Sequence, residues 1–459
     1  ARSDVMSVAY CDITTGELYH TEYKGSGLYD VILNELVKIN ASEIILSQTF
    51  SEEYPTDEIK KITGAYINIL GDAYFSEKSC EEIIKAQFNC ISLTGLGLDF
   101  RPCAVPALGA LLNYLLETQK QTLKHLTHIN IYEIGMHMAL DKATIRNLEI
   151  TETLYEKKIQ GSLLGILDKT HTAMGSRKMR QWLREPLNNA KEINLRLDGV
   201  EELYNELIIR NNIKQNLKQI YDFERLAGRI ACGNANGKDL IALRNSIAVL
   251  PEIKSDLGVL HSEIMQSIDS RICDLSAVYN IIDRAICDEP PFTVKEGSLI
   301  KDGYSEELDS LKFSIKDAKT WISTLEGKER ERTGIKNLKV GYNRVFGYYL
   351  EVTRSYYDLI PENYIRKQTL ANAERFITPE LKEMEGLVLN AETKINRMEY
   401  DLFVEVRNFI EGYIKYIQST SSAVAELDVL TSFAHVSDKL GYVKPLVDES
   451  FELEIVKGR

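Results

Sequence analysis

The run LKEMEGLVLNAETKINRMEYDL, residues 381–402, decides the architecture. Within it Leu381, Met384, Val388, Ala391, Ile395, Met398 and Leu402 recur at alternating steps of three and four, and the pattern continues through Val406, Ile410 and Tyr413. Such a repeat is the seam of a helix that lies along another helix. A matching seam stands upstream in Leu308, Leu311, Ile315, Ala318, Ile322 and Leu325. With ~50 residues between the two, and a second helix of ~35–40 residues reaching up to ~60 Å, the pair predicts an antiparallel arm with a module at its tip.

The module is visible as a change of period. From Gly334 to Pro379 the apolar residues alternate: Leu338, Val340 and Tyr342, then Tyr348, Leu350 and Val352, with Gly341 and Gly347 as bends. This stretch carries seven basic residues (Lys336, Lys339, Arg344, Arg354, Arg366, Lys367, Arg375) against four acidic ones. The whole chain has 55 basic and 68 acidic residues, a net charge of −13. Any polyanion-binding surface must therefore be local, and this stretch is the candidate for one. Asn343, Gln368, Thr369 and Asn372, interleaved with the cations, add hydrogen-bond donors that do not repel phosphate. A solvated hairpin surface would have a similar composition, so the position at the end of an arm is what favours binding.

Working outward, 459 residues exceed one ordinary core and suggest about three domains at ~150 residues each. In the first ~118 residues, strand patterns (Val5 to Asp12, Leu18 to Glu22, Ile44 to Leu46) alternate with helical ones (Leu28 to Ile39, Val105 to about Leu116), which predicts an α/β domain. From Thr127 to Cys287 the pattern is helical, with helices expected over Glu149–Leu167, Met174–Leu183, Glu192–Leu207, Tyr221–Ala231 and Asp239–Leu250. Breaks are expected at Pro186, Gly233, Gly237 and Pro251. Seven scattered cysteines without a C-x-x-C pair read as reduced thiols, and no apolar run reaches the ~18 residues of a membrane span, so a cytoplasmic protein is expected. The chain begins without Met and stops on Lys457-Gly458-Arg459, as a piece of a larger protein would.

These residues carry a family resemblance. The strings from Leu140 to Ile150, Met174-Gly175-Ser176-Arg177, Trp182-Leu183 and Pro186-Leu187 resemble the lever of the MutS family of DNA mismatch-recognition ATPases. Pro290-Pro291 through Gly303-Tyr304 and Glu329 through Gly334 resemble the approach to that family's clamp; Gly341-Tyr342-Asn343, Gly347-Tyr348-Tyr349, Arg366 through Leu370, Asn372 through Phe376 and Pro379 through Lys382 resemble the clamp itself, and Ala425 through Leu430 the return into the lever. The resemblance implies a multidomain, mainly α chain. Residues 1–118 would form an RNase H-like α/β connector, 119–332 and 384–459 a helical lever bundle with the long antiparallel helices, and 333–383 a small β-rich clamp inserted at their tip.

By the same resemblance the clamp closes over the backbone of mismatched double-stranded DNA, the lever couples it to an ATPase, and the connector docks a MutL-like partner. The candidate DNA contacts are Asn343, Arg344, Arg366, Lys367, Gln368, Thr369, Asn372 and Arg375; the candidate partner contacts are Leu111 and Leu112. Ala371 stands where the family motif commonly has Lys, which removes one phosphate contact. The full-length protein would use ATP and Mg²⁺ and pair as a dimer. This chain shows neither the mismatch-reading segment nor a phosphate loop. Its nearest imitation, Gly233 to Asp239, ends in Asp and reads as a helix-breaking loop with Asp239 as N-cap.

No cofactor, metal or catalytic group is expected in this chain. Asp12, before Thr14-Thr15-Gly16, suits a turn better than a metal pair, and His125 with His128 has no third ligand near it in sequence. Two other functions remain open on sequence grounds: a coiled-coil scaffold that binds protein and no DNA, and an RNase H-like metal-dependent nuclease relying on Asp12.

Overall fold

The computed structural model describes residues 4–457 apart from 91, 99–100, 102, 120–122, 134, 136, 139, 296 and 344–346. The chain forms two compact units, one of residues 1–235, 242–279 and 409–459, the other of 236–241 and 280–408. The first unit opens with β1 (Val5–Asp12), β2 (Glu17–Lys24), α1 (Leu28–Ile39), β3 (Glu43–Ser47), α2 (Gln48–Glu53), α3 (Thr56–Thr63) and β4 (Tyr66–Leu70). It continues with α4 (Glu77–Phe88), α5 (Ala104–Gln119) and β5 (Ile129–Ile131). β1 and β2 pair antiparallel, β5 runs parallel to β2, and β3 and β4 form a separate parallel pair. The hairpin turns where it does because Asp12 Oδ1 accepts from the Thr14 N–H at 2.8 Å and the Thr14 hydroxyl at 2.6 Å. One core joins Leu18 and Leu126 to α4 and α5; the other sets Met6, Val8 and Ile44 against α1 and α3.

Ten helices follow among the described residues: α6 (Lys142–Asn147), α7 (Leu163–Leu167), α8 (Ala173–Arg184), α9 (Ala190–Asn205), α10 (Leu207–Leu217), α11 (Phe223–Ala231), α12 (Gly237–Ala248), α13 (Leu250–Leu257), α14 (Glu263–Arg271) and α15 (Ser276–Ala285). The helix expected over 149–167 is for the most part turns. Glu149, Lys157 and Gly161 all have positive φ, and Thr153 and Lys158 close a loop through Thr153 N–H to the Lys158 carbonyl. The break expected at Pro251 falls two residues earlier, at Val249 between α12 and α13, and Pro251 stands in the first turn of α13, where its missing N–H costs nothing. Asp239 is not the N-cap of α12: Asn236 holds that place, its Oδ1 accepting from Asp239 N–H while Asp239 Oδ2 accepts from Asn236 N–H.

A long-range tie in this unit is made by α18 (Ile414–Leu440). Its Asp428 is fully buried and accepts from Thr172 N–H at 2.8 Å, Thr172 Oγ1 at 2.7 Å and His171 N–H at 3.0 Å. The carboxylate thus sits on the positive end of α8, and Gly175 permits the approach because a Cβ there would strike Asp428.

The second unit contains α16 (Glu306–Thr333), then β6 (Lys339–Asn343), β7 (Gly347–Thr353), β8 (Ile365–Thr369) and β9 (Ala373–Ile377), and most of α17 (Pro379–Glu411). α16 and α17 run antiparallel, as Lys312–Glu399 at 3.0 Å and Lys319–Glu392 at 2.7 Å show. Ala318, Ile322 and Leu325 of one helix, with Leu381 and Val388 of the other, share a core with Leu350, Val352 and Phe376 of the sheet. Each unit offers a substitution that tests its packing. Asp428→Ala strands three buried donors, and urea unfolding should show a loss of roughly 3 kcal/mol or more. Gly347 has φ +76° and a Cβ would overlap the Glu385 carboxylate. Gly347→Ala should therefore cost about 2 kcal/mol or more, read as lost hydrogen-exchange protection in β7.

Candidate nucleic-acid interface

The sheet has the order β6-β7-β9-β8 and is antiparallel throughout. Directly opposed residues share a face, so Lys339, Glu351, Arg375 and Gln368 form one row across all four strands. Helix side chains fasten the sheet. Glu326 accepts from Val340 N–H at 3.0 Å, Arg330 Nε donates to the Leu338 carbonyl at 2.8 Å, and Glu385 accepts from Tyr348 N–H at 3.1 Å. Main-chain groups of β6 and β7 are thereby tied to both long helices.

The candidate contacts divide by environment. Arg375 is half-buried and held from three sides: Nε donates to Glu351 at 3.1 Å, Nη1 to Gln368 Oε1 at 3.0 Å, and the guanidinium lies 4.2 Å from the Tyr349 ring centre. Its charge is offset and its geometry fixed, which makes it and Gln368 a frame for the surface. Arg366 is exposed and pairs with Glu374 at 3.3 Å. Lys367 lies at the bulge where the β8–β9 register shifts, and it too is exposed. Thr369 and Asn372 are exposed on either side of Ala371 in the β8–β9 turn.

Arg354 was not singled out in the sequence. Its N–H donates to the Asn372 carbonyl at 3.2 Å, its side chain is exposed, and it forms no ion pair among the described residues. Nothing in its neighbours in sequence signals this; only the pairing of Thr353 with Ala373 brings it to that turn.

Asn343 is half-buried and lies at the other end of β7, paired with Gly347, whereas the β8–β9 turn adjoins Thr353. Six residues of strand separate the ends, roughly 20 Å at ~3.4 Å per residue. Arg344 lies outside the described residues. The exposed group is thus Arg366, Lys367, Thr369 and Asn372, joined by Arg354, with Arg375 and Gln368 behind it and Asn343 apart.

The α/β domain corrects one residue. Leu112 is fully buried among Cys80, Leu108 and Leu115 because α4 packs closely on α5, where Gly109 leaves room for Cys80. It is a core residue and offers no surface to a partner; Leu111, half-buried, packs on the edge of the same cluster. Asp12 is engaged by its own turn, and the buried His125 is bound through Nε2 to the Ile13 carbonyl at 2.8 Å, while His128 meets Thr127. Among the described residues no group of three or more His, Cys, Asp or Glu is placed to hold a metal ion, and no helix is long and apolar enough to cross a membrane.

An α/β domain followed by a helical body, with a cation-edged sheet inserted between two long helices, defines a distinct class of multidomain protein. Residues 2–130 match the family model of MutS domain II and residues 143–434 that of MutS domain III. A DNA mismatch repair protein MutS from Alkaliphilus oremlandii is 46% identical over 454 residues, covering 98% of this chain and 52% of that protein. Proteins of the same name from Ruminiclostridium cellulolyticum and Halothermothrix orenii are 46% and 43% identical, covering 98% and 99% of this chain and 52% and 51% of theirs. The chain belongs to the MutS family, and it spans about half the length of these curated relatives.

The ion pair on Arg366 gives a prediction. Glu374→Gln frees that guanidinium, and affinity for duplex DNA at low salt should rise by up to about fivefold, the range an exposed pair allows; fluorescence anisotropy would measure it.

Proposed function

We propose that this chain is the central part of a DNA mismatch repair protein, in which the β6–β9 sheet grips the sugar-phosphate backbone of duplex DNA without reading bases. The observation that carries this reading is the exposed edge of Arg366 and Lys367, with Thr369 and Asn372 beside it, on a chain of net charge −13. Cations and neutral donors at such an edge position a protein on phosphates and carry little sequence information. The direct hydrogen bonds from Glu326, Arg330 and Glu385 to the sheet's main chain support a second element: α16 and α17 transmit the state of an ATPase in the whole protein to the clamp. ATP and Mg²⁺ belong to that ATPase, as does pairing into a dimer, and this chain alone performs no catalysis. The α/β domain, read as RNase H-like, docks a MutL-like partner.

The two rival functions are less well supported. A scaffold has no use for an exposed basic edge, and a nuclease needs further carboxylates gathered beside Asp12, whose Oδ1 instead stabilises the turn through Thr14.

The test is equilibrium binding to a fluorescent duplex of ~30 base pairs, matched and with a G·T mismatch, over a series of salt concentrations. The expected result is weak binding, equal for both duplexes. For Arg366→Ala/Lys367→Ala the slope of log K against log salt should be shallower by about one for each phosphate that the variant no longer neutralises. No binding at low salt, or an unchanged slope in the double variant, would reject the clamp reading.

A further inference from the structure

β4 has β3 as its sole neighbour among the described strands, so its other edge is open. Which groups face that edge follows from the pairing. Tyr66 N–H donates to the Ser42 carbonyl at 2.9 Å, toward β3, and main-chain groups alternate along a strand. The N–H and C=O of Ile67 and Ile69 therefore point outward.

Open edges attract stray strands, and proteins guard them with charge, proline, bulges or a cover. The clamp sheet is guarded at both sides. On β6, Glu326 and Arg330 take main-chain groups; on β8, a bulge falls at Lys367 and Arg366 and Lys367 are exposed. β4, reading Tyr-Ile-Asn-Ile-Leu, has no charge, no proline and an unbroken register against β3, and no described strand pairs with its outer edge. Its Tyr66 is 66% and its Ile69 50% exposed. An edge left open, regular and apolar is a place where an extended segment can add as a further strand, with main-chain bonds giving affinity and alternate side chains giving selectivity.

Charge indicates which segment. Residues 1–118 hold 17 acidic against eight basic residues, a net −9 of the chain's −13. We infer that the outer edge of β4 binds an extended, basic segment of a partner protein by strand addition. This deepens the docking role proposed above for the α/β domain and moves its surface away from α5, where Leu112 is buried.

The probe is a synthetic peptide of alternating lysine and valine, with two companions: the same peptide N-methylated at every second residue, and one with glutamate in place of lysine. Ile69→Pro removes an outward N–H and no bond to β3, which an edge strand tolerates; Ile69→Thr keeps the N–H. In fluorescence anisotropy the lysine peptide should bind the wild type and Ile69→Thr alike. It should bind Ile69→Pro about tenfold more weakly, the loss of one or two main-chain bonds, and the methylated and glutamate peptides should bind the wild type weakly as well. Absent binding of the lysine peptide, or equal binding of the methylated one, would overturn the inference whatever the variants do. The DNA grip is read separately by the salt series, and if the peptide binds while a purified MutL-like protein does not, the docking role fails and the strand-addition site stands.

Discussion

The helical body depends on one buried carboxylate. Asp428 lies 256 residues beyond the Thr172 it binds, and every residue of the second unit falls between them in sequence. A charged group without solvent is stable only where donors surround it, and here two main-chain N–H groups, a hydroxyl and the positive end of α8 do so. The arrangement demands Gly at 175, since any side chain would displace the carboxylate. Arg210, fully buried with Asp438 as its ion partner, and Arg271 with Glu426 tie the same helix to α10 and α14.

A comparable device holds the clamp. Glu326, Arg330 and Glu385 are helix side chains that bond main-chain groups of the sheet rather than its side chains, so the attachment is insensitive to what the exposed face carries. Gly347 is required at the Glu385 contact for the reason Gly175 is required at Asp428. A change in how α16 and α17 lie on each other would have to be absorbed by the sheet as a whole, because its core is made from both helices.

What was legible in the sequence follows the strength of the periodic signal. The two seams and strands β6 and β7 were readable because burial on one face leaves a regular apolar trace. The stretch from Glu149 to Leu167 misled because apolar residues at helical spacing recur where the main chain turns through Glu149, Lys157 and Gly161 at positive φ. Pro251 marked a real break between α12 and α13, placed two residues late because a proline is accepted in the first turn of the helix that follows. Within the site, residue types were legible but their roles were not. Arg375 and Arg366 look alike in sequence, yet one is locked between Glu351, Gln368 and Tyr349 and the other is exposed. Arg354 joined the site through a pairing made across strands, and Leu112 left its assigned surface because a helix face is chosen by the neighbour that covers it.

The acidic residues of the clamp explain how such a surface can be positive and still restrained. Each of the two arginines on β8 and β9 faces a carboxylate, Glu374 for Arg366 and Glu351 for Arg375. Phosphate approaching Arg366 must compete with a pair worth under ~1 kcal/mol, which it can do, whereas the half-buried Arg375 pair is reinforced by an amide and a ring and is harder to displace. Affinity then rests on a few rim cations, fewer still with alanine at position 371. Binding through few phosphate contacts is weak and readily reversed at physiological salt. Under the function proposed above, contacts this few would leave the hold on DNA to the helices behind the sheet rather than to the contacts themselves.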